Sequence, residues 1–221
     1  MDIYKIHDFD EDKGDTGFLR ITELRQGVKN PDRVNVFVNG KYGFSLDIAQ
    51  VVELSIKVGR EISKAEFDGF KKASEFGKLY QRTLEWVLVR PRSEKETRDY
   101  LYKKIYEKKL EKDYIDIVIS KLKNKKYIDD EKFTEWYIEN RFVKKGVSVK
   151  RLKMELMKKG VAKGIIEEKL DESDRNDEAE IRKIIARKRA RYDDEKLIAY
   201  LCRQGFPYDL VREIVLTPEK D

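Results

Sequence analysis

A phrase of about 45 residues recurs in the second half of this sequence. Three pairs of apolar or glycine anchors keep the same 45-residue offset: Leu156 and Leu201, Gly160 and Gly205, and Ile165 and Leu210. Self-similarity at a fixed period of this length is typical of helical-repeat proteins, in which neighbouring repeats share a core and present long surfaces. We therefore expect the chain to bind an extended partner rather than to enclose a small substrate.

Three repeats of three helices are predicted in the last two thirds of the chain. Their predicted bounds are 63–128, 129–172 and 173–221. The fold class is therefore mainly α, with helix-turn-helix-like repeats in a tandem array, and the family resemblance described below implies that this array is elongated and curved. The first repeat carries about seven extra residues, which we assign to 106–112. Helix starts are predicted at Ser63, Ser93, Asp113, Asp129 or Asp130, Ser148 and Asp193. Left-handed helix ends are predicted at Gly160 and Gly205.

A small sheet is predicted before the repeats, within residues 17–62. Strand patterns lie at 18–24, 33–38 and 42–46, which predicts about three antiparallel strands. Asn39-Gly40 indicates a two-residue type I′ hairpin turn, because both of its positions need positive φ. Asp47 is predicted to cap a short helix that runs to about Lys57 and covers the sheet. Residues 1–16 are polar and acidic without periodicity, and we expect them to be flexible.

Composition excludes several classes of function. The single cysteine, Cys202, excludes an internal disulfide and a thiolate metal cluster, and the single histidine, His7, in an acidic segment excludes a histidine triad. The acidic cluster at 129–131 is better explained by helix capping than by a metal site. No Gly-rich phosphate loop is present. We therefore expect no catalysis, cofactor or metal. No apolar run approaches a membrane span, and the acidic start is unlike a signal peptide, so cytoplasmic location is the expectation.

Positive charge is concentrated in the predicted second and third repeats. Residues 1–62 carry 9 Lys and Arg against 11 Asp and Glu, whereas residues 63–221 carry 40 against 32. Residues 141–170 have a net charge of +7 and residues 180–192 of +5. Such density favours a phosphate or acidic-protein partner. Solvated helix faces in a highly charged chain are the alternative.

The candidate partner-binding residues are therefore basic side chains. They are Arg90, Arg92, Arg141, Lys144, Lys145, Lys150, Arg151, Lys153, Arg187, Lys188, Arg189 and Arg191. Arg90 and Arg92 flank Pro91 at a helix break, where they could read phosphate or carboxylate or could simply be solvated. Trp86 and Trp136 fall at equivalent points of the first two repeats. They could stack on bases, but their spacing among apolar residues favours the core.

Four phrases in order resemble the RecX family of recombination regulators. They read RPRSEKETRDYL at 90–101, YIDDEKF at 127–133, LMKKGV at 156–161 and YLCRQGF at 200–206. The likeness extends over about 17–217 and includes NPDRV at 30–34. The sequence departs from the family in the extra residues of the first repeat and in Thr97, where an apolar residue is usual.

The resemblance implies a regulator without chemistry of its own. Three tandem three-helix repeats would form a curved rod in the groove of the RecA filament on single-stranded DNA. There the protein would limit filament growth, ATP hydrolysis and strand exchange. The implied partners are RecA and single-stranded DNA, with double-stranded DNA as an open question, and we expect a monomer. A DNA-binding module of helix-turn-helix type that acts directly on DNA is the alternative.

Overall fold

A computed structural model of the chain describes residues 18–28, 30–141 and 145–217. The predicted flexible segment 1–16 lies outside the described residues. The chain forms two compact units that divide between Leu79 and Tyr80. We call them the N-terminal unit and the helical unit. No helix within the described residues is both long and apolar enough to cross a membrane.

The N-terminal unit contains an antiparallel sheet in the order β3-β2-β1-β4. Its strands are β1 Phe18–Gln26, β2 Arg33–Val38, β3 Lys41–Asp47 and β4 Glu61–Ser63. The predicted type I′ turn is confirmed, since Asn39 and Gly40 have φ of 49° and 77°. The expectation of about three strands was one too few. The three-residue β4 pairs with the start of β1 and is too short to leave a period-2 pattern in the sequence.

A short helix, α1 Ile48–Glu53, follows the sheet. Asp47 caps it as predicted, in a full capping box with Gln50. The helix ends four residues before the predicted Lys57, because Ser55 takes a positive φ of 51°. The sheet's apolar face packs with the first part of α2 around Phe67 and Phe70.

Nine helices follow in the described part of the chain. They are α2 Lys64–Leu88, α3 Glu94–Lys108, α4 Tyr114–Asn124, α5 Asp130–Asn140, α6 Val149–Lys158, α7 Lys163–Asp171, α8 Asp177–Lys188, α9 Asp194–Arg203 and α10 Tyr208–Leu216. Ser63 starts α2 through the predicted reciprocal capping box with Glu66. The helix ends before Arg90-Pro91. The proline ring disfavours helical φ and ψ in the residue before it, which here is Arg90.

Two separate apolar clusters hold the last six helices together. One joins α5, α6 and α7, and the other joins α8, α9 and α10. The anchors of the 45-residue repeat occupy equivalent places in them: Leu156 and Leu201 are both fully buried. Gly160 and Gly205 end α6 and α9 with φ of 81° and 93°, as predicted for left-handed helix ends.

The extra residues of the first repeat lengthen α3 and the turn after it. Ser93 precedes the first residue of α4 by 21 positions, whereas Ser148 precedes that of α7 by 15. Lys109 ends α3 in the left-handed conformation with φ of 53°. Asp113 stands at the start of α4 but its side chain makes no capping hydrogen bond, so the predicted cap was wrong.

Candidate functional site

Within the helical unit, the starts of two helices bind the ends of helices in the next repeat. Ser93 caps α3, and its Oγ also donates to the carbonyl oxygen of Lys159 at the end of α6, at 2.7 Å. Ser148 repeats the arrangement: it caps α6, and its Oγ donates to the carbonyl oxygen of Gln204 at the end of α9, at 2.9 Å. The same contact therefore builds two successive junctions between repeats.

An aspartate completes each junction. Asp130, the first residue of α5, accepts a hydrogen bond from the backbone N–H of Glu94 at 2.8 Å. Asp177, the first residue of α8, accepts one from the backbone N–H of Val149 at 2.7 Å. Burial raises the pKa of both carboxyls, although the backbone hydrogen bond opposes it. These contacts identify Asp130 and Asp177 as equivalent positions, which the sequence pattern alone had not revealed.

A cleft opens at the second junction, with a volume of about 320 Å³. Its lining combines the segment before α6 with residues of α6, α8 and α9: Lys145, Gly146, Val147, Arg151, Ile184, Arg187, Lys188, Tyr200 and Gln204. We call this space the cationic cleft, because four of its lining residues are basic and none is acidic. Four of the twelve candidate residues thus come together here, namely Lys145, Arg151, Arg187 and Lys188.

The cations of this cleft are held to different degrees. Arg151 donates to Oε1 of Gln204 at 2.6 Å and to Glu155 at 3.2 Å. The ammonium of Lys188 lies over the rings of Tyr192 and Tyr200, 4.8 and 4.4 Å from their centroids. Arg187 is exposed and makes no ion pair or side-chain hydrogen bond with any described residue. The tyrosines thus position the ammonium of Lys188, whereas Arg187 has no such partner among the described residues.

A second cleft, of about 290 Å³, lies at the first junction. Its lining mixes both signs of charge: Lys95, Glu96, Asp99, Tyr137, Glu155, Lys158 and Lys159. Burial alone would raise the pKa of Glu155, but hydrogen bonds from Arg141 and Tyr137 outweigh it and lower the pKa from 4.5 to about 2. Burial and the bond to Glu155 raise the pKa of Tyr137 to about 12. We call this space the paired cleft.

The structure separates Arg90 and Arg92 from the cationic cleft. Arg90 makes two hydrogen bonds to the carboxylate of Glu96, at 3.1 and 3.3 Å, and lies 5.0 Å from the ring centroid of Trp136. Its guanidinium thus binds a carboxylate of its own chain. Arg92 lies 3.9 Å from the ring centroid of Trp86. Its Nε is buried without a hydrogen-bond partner in the described chain, and burial lowers its pKa.

The two tryptophans are half-buried rather than fully in the core. Trp86 stacks on Tyr100 with ring centroids 4.4 Å apart, and Trp136 packs beside the apolar cluster of the second repeat. An arginine covers a face of each ring. The expected packing role holds, but neither ring lines the cationic cleft.

The remaining candidate residues lie elsewhere. Arg141 is bound to Glu155 through two hydrogen bonds of 2.6 and 3.0 Å. Arg189 pairs with Asp194 at 3.0 Å and donates to the carbonyl oxygen of Val215. Three further candidates sit on α6 or after α8 without lining the cleft: Lys150, Lys153 and Arg191. Lys144 lies outside the described residues.

A buried ion pair beside the cationic cleft was not found by sequence reasoning. Glu180 is 1% exposed and accepts the backbone N–H of Val147 at 3.0 Å. Nη1 of Arg175 lies 2.9 Å from its Oε2, in an ion pair without hydrogen-bond alignment. Arg175 also donates to the carbonyl oxygens of Ile138 and Arg141 at the end of α5. The pair therefore ties the segment before α6 to α8 and supports one wall of the cleft.

These features define a class of protein: a helical-repeat binding protein with a sheet unit before its repeats. In the described residues, no group of three or more His, Cys, Asp or Glu side chains could hold a metal ion. The chain is similar to regulatory protein RecX of Bacillus pumilus (strain SAFR-032), with 30% identity over 86% of this chain and 74% of that relative. It therefore belongs to the RecX family, regulatory proteins that modulate RecA.

Other comparisons agree with this assignment. Residues 19–63 match the model of the regulatory protein RecX N-terminal domain, and residues 129–170 match that of the second three-helix domain of RecX. Regulatory protein RecX of Clostridium botulinum (strain Eklund 17B / Type B) is 28% identical over 89% of this chain and 94% of its own length.

Solved structures share the fold. A crystal structure of regulatory protein RecX has a TM-score of 0.66 at 19% identity, over 89% of this chain and 98% of that one. RecX from Lactobacillus salivarius has a TM-score of 0.51 at 25% identity, over 65% of this chain and 96% of that one. The predicted family and fold class, tandem helical repeats after a small antiparallel sheet, are thus confirmed.

Proposed function

We propose that this protein inhibits RecA recombinase by binding in the groove of its filament on single-stranded DNA. Bound there, it limits filament growth, ATP hydrolysis and strand exchange. The observation that carries the proposal is the similarity to RecX proteins over most of the chain. In this proposal the protein acts as a monomer in the cytoplasm and has no cofactor and no chemistry of its own.

The cationic cleft and its surroundings are the proposed contact surface. It belongs to the second and third of the three proposed repeats, 63–128, 129–172 and 173–221. Cations that face a polyanion gain affinity through counterion release, and complementary charge also steers association. Arg90, Arg92 and Arg141 have a smaller part in this surface than the sequence suggested, because internal carboxylates or aromatic rings hold them.

A charge-reversal variant tests the surface. The variant carries glutamate at four positions together: Lys144, Lys145, Arg151 and Arg187. RecA-promoted DNA strand exchange is measured in the presence of this variant and, separately, of the wild type. We expect much weaker inhibition with an unchanged helical circular dichroism spectrum. The matched control reverses four exposed cations outside both clefts, namely Lys103, Lys132, Arg203 and Arg212, and should inhibit like the wild type. Equal inhibition by the two variants would refute the surface.

Direct action on DNA is the second candidate function. The specific observation in its favour is that one helix of each short pair, α6 of α6–α7 and α9 of α9–α10, lines the cationic cleft, in which no described lining residue is acidic. A protein that acts this way would bind duplex DNA without RecA, with a steep dependence on salt. This candidate would be favoured over filament regulation by two results together: the loss of strand exchange follows the fraction of duplex DNA that the protein binds, and the protein leaves preformed RecA filaments unchanged.

A further inference from the structure

The buried pair of Arg175 and Glu180 lies where the second and third proposed repeats meet. Arg175 lies in the linker between α7 and α8, and Glu180 lies in the first turn of α8; their side chains are 10% and 1% exposed. Arg175 donates through Nε and Nη2 to the carbonyl oxygens of Ile138 and Arg141, at 3.0 and 2.6 Å. Glu180 accepts the backbone N–H of Val147 at 3.0 Å. The pair thus connects α8 with both the end of α5 and the segment before α6.

The backbone of that segment lies directly against α8. Gly146, which precedes Val147, has a φ of 76°, and an added Cβ would lie 2.7 Å from the carbonyl oxygen of Glu180 and 2.7 Å from Cγ1 of Ile184. Real Cβ atoms do not come so close, so only glycine allows this approach. A rotation of α8 against this segment would therefore disturb the contact and the hydrogen bonds of the pair together.

The first junction has no charges at the equivalent positions. Counting from the aspartates that start α5 and α8, Ile128 corresponds to Arg175 and Phe133 to Glu180. Ile128 and Phe133 are 3% and 0% exposed. In general, a buried ion pair is no more stabilising than apolar residues of similar volume, although the loss of one partner is costly. Because the chain builds one junction with apolar residues at these positions, stability alone does not explain the pair at the other.

Direction distinguishes the pair from apolar residues. A guanidinium presents its donors in a rigid planar fork, whereas apolar contacts have no preferred direction. Two nitrogens of Arg175 donate to carbonyl oxygens at the end of α5, and the third, Nη1, lies 2.9 Å from Oε2 of Glu180 on α8. All three contacts are made together at one orientation of α8 on α5, which apolar side chains would define less sharply.

We infer that Arg175 and Glu180 are positioning residues that set the orientation of the third repeat on the second. The inference rests on the proposed function, for which it names the residues that hold the contact surface in shape. Arg151 belongs to α6 in the second repeat and Arg187 to α8 in the third, and both line the cationic cleft. The distance between such cations depends on the junction, so the buried pair acts on a partner through this surface and without touching it.

Two variants of the pair and two controls test the inference. Arg175→Met removes the guanidinium and keeps an unbranched stem. Glu180→Gln keeps the shape and an acceptor for the N–H of Val147, but removes the negative charge. Lys183→Met is the matched control, because Lys183 binds the same carboxylate at 2.7 Å but belongs to α8 itself, so its bond does not cross the junction. Leu201→Ala is the control for stability, since it truncates the core of the third repeat.

The measurement is the distance between two nitroxide labels in the full-length protein without RecA, by double electron–electron resonance. The native cysteine is first removed by Cys202→Ser. Glu168→Cys on α7 and Arg212→Cys on α10 place labels on either side of the second junction. Lys103→Cys on α3 with Glu168→Cys does the same for the first junction. All three labelled positions are exposed.

We expect Arg175→Met and Glu180→Gln to broaden or shift the distance distribution across the second junction and to leave that across the first unchanged. Lys183→Met should match the wild type at both junctions. So should Leu201→Ala, at a temperature where its circular dichroism spectrum is still that of the folded protein. The two controls separate loss of orientation from loss of one charge and from loss of stability.

Two results would overturn the inference. One is a wild-type distance distribution across the second junction in both variants of the pair. The other is an equal change in either control, which would show that any loss of charge or of stability has the same effect. If circular dichroism shows that Arg175→Met does not fold, the nearly isosteric Glu180→Gln decides alone.

Inhibition of RecA separates this inference from the proposed function. The unlabelled variants are titrated into RecA's hydrolysis of ATP on single-stranded DNA, and we expect the same inhibition to need several-fold more of either pair variant than of the wild type. A changed distance with wild-type inhibition would overturn the positioning role and keep the proposed function. A changed distance when the wild type itself does not inhibit RecA would instead reject the proposed function, while the orientation set by the pair would stand.

Discussion

The side chain of Ser148 joins two helices of different repeats: it caps the start of α6 and donates, at 2.9 Å, to the carbonyl oxygen of Gln204 at the end of α9. Ser93 makes the same pair of contacts one junction earlier, with Lys159 at 2.7 Å. Because helix ends leave N–H and C=O groups unpaired, one hydroxyl can satisfy both kinds of group. The capping residues thus also help to align the repeats on which the cationic cleft depends.

This double contact predicts an unequal cost for two capping substitutions. Ser148→Ala loses the cap and the contact between repeats, which should lower the free energy of unfolding by about 1–3 kcal/mol. Asp193→Ala loses only the cap of α9 and a local pair with Lys196, and should cost less, at about 0.5–2 kcal/mol. Urea unfolding measures both. Equal costs would mean that the bond to Gln204 contributes nothing.

Gly160 should not tolerate a side chain. Its φ is 81°, and an added Cβ would lie 2.6 Å from Cβ of Lys95 in the neighbouring repeat. Gly160→Ala is therefore expected to destabilise the protein by about 1–3 kcal/mol in urea unfolding. Gly164→Ala is the matched control on α7, where an added Cβ meets nothing within 4 Å. Its higher helix propensity should stabilise by up to about 1 kcal/mol. A neutral Gly160→Ala would contradict this account of the junction.

The two apolar anchors of the repeat should be costly to truncate. Leu156→Ala and Leu201→Ala each remove a side chain that is fully buried in its own cluster, so each should lose roughly 2–5 kcal/mol of unfolding free energy. Thermal and urea unfolding test this. Met154→Ala, at an exposed position of α6, is the control and should change little. If either leucine variant loses no more unfolding free energy than Met154→Ala, that leucine does not contribute to the core as described.

The lowered pKa of Glu155 predicts a dependence of stability on pH. The unfolded chain binds this proton near pH 4.5 and the folded chain near pH 2. Its contribution to the unfolding free energy is therefore complete above pH 4.5 and is lost as the pH falls toward 2. In Glu155→Gln, the loss of stability over this range should be shallower than in the wild type, as measured by urea unfolding at several pH values.

An exposed glutamate is the control for that experiment. Glu168 lies on α7 and makes no side-chain hydrogen bond or ion pair with a described residue. Glu168→Gln should keep the wild-type slope of stability against pH. Identical slopes for Glu155→Gln and the wild type would show that the bonds from Arg141 and Tyr137 do not hold the carboxylate ionised in the folded state.

Features with a local cause were predictable from the sequence. The turn at Asn39-Gly40 follows from the two residues that tolerate positive φ, and the caps at Ser63, Ser93 and Asp129 follow from side chains that reach only three residues ahead. The family resemblance likewise depended on local phrases. By contrast, β4 has three residues and pairs with a strand about 40 positions away, so it left no local pattern.

The candidate site was predictable only in part, because charge density does not reveal pairing. Arg90 and Arg141 count as cations in the sequence, yet Glu96 and Glu155 hold them in the fold. Arg187 looks no different from them until its surroundings are known. The cleft itself arises from contacts between positions more than 50 residues apart, such as that of Ser148 with Gln204, which no periodicity encodes.

The most direct test of the central claim is RecA's hydrolysis of ATP on single-stranded DNA. The purified protein is titrated from far below to the RecA concentration, at two salt concentrations that both keep RecA active. Inhibition at substoichiometric amounts is predicted, since one regulator that blocks a filament affects many RecA subunits. Unchanged hydrolysis up to equimolar protein, at both salt concentrations, would contradict a role in filament regulation.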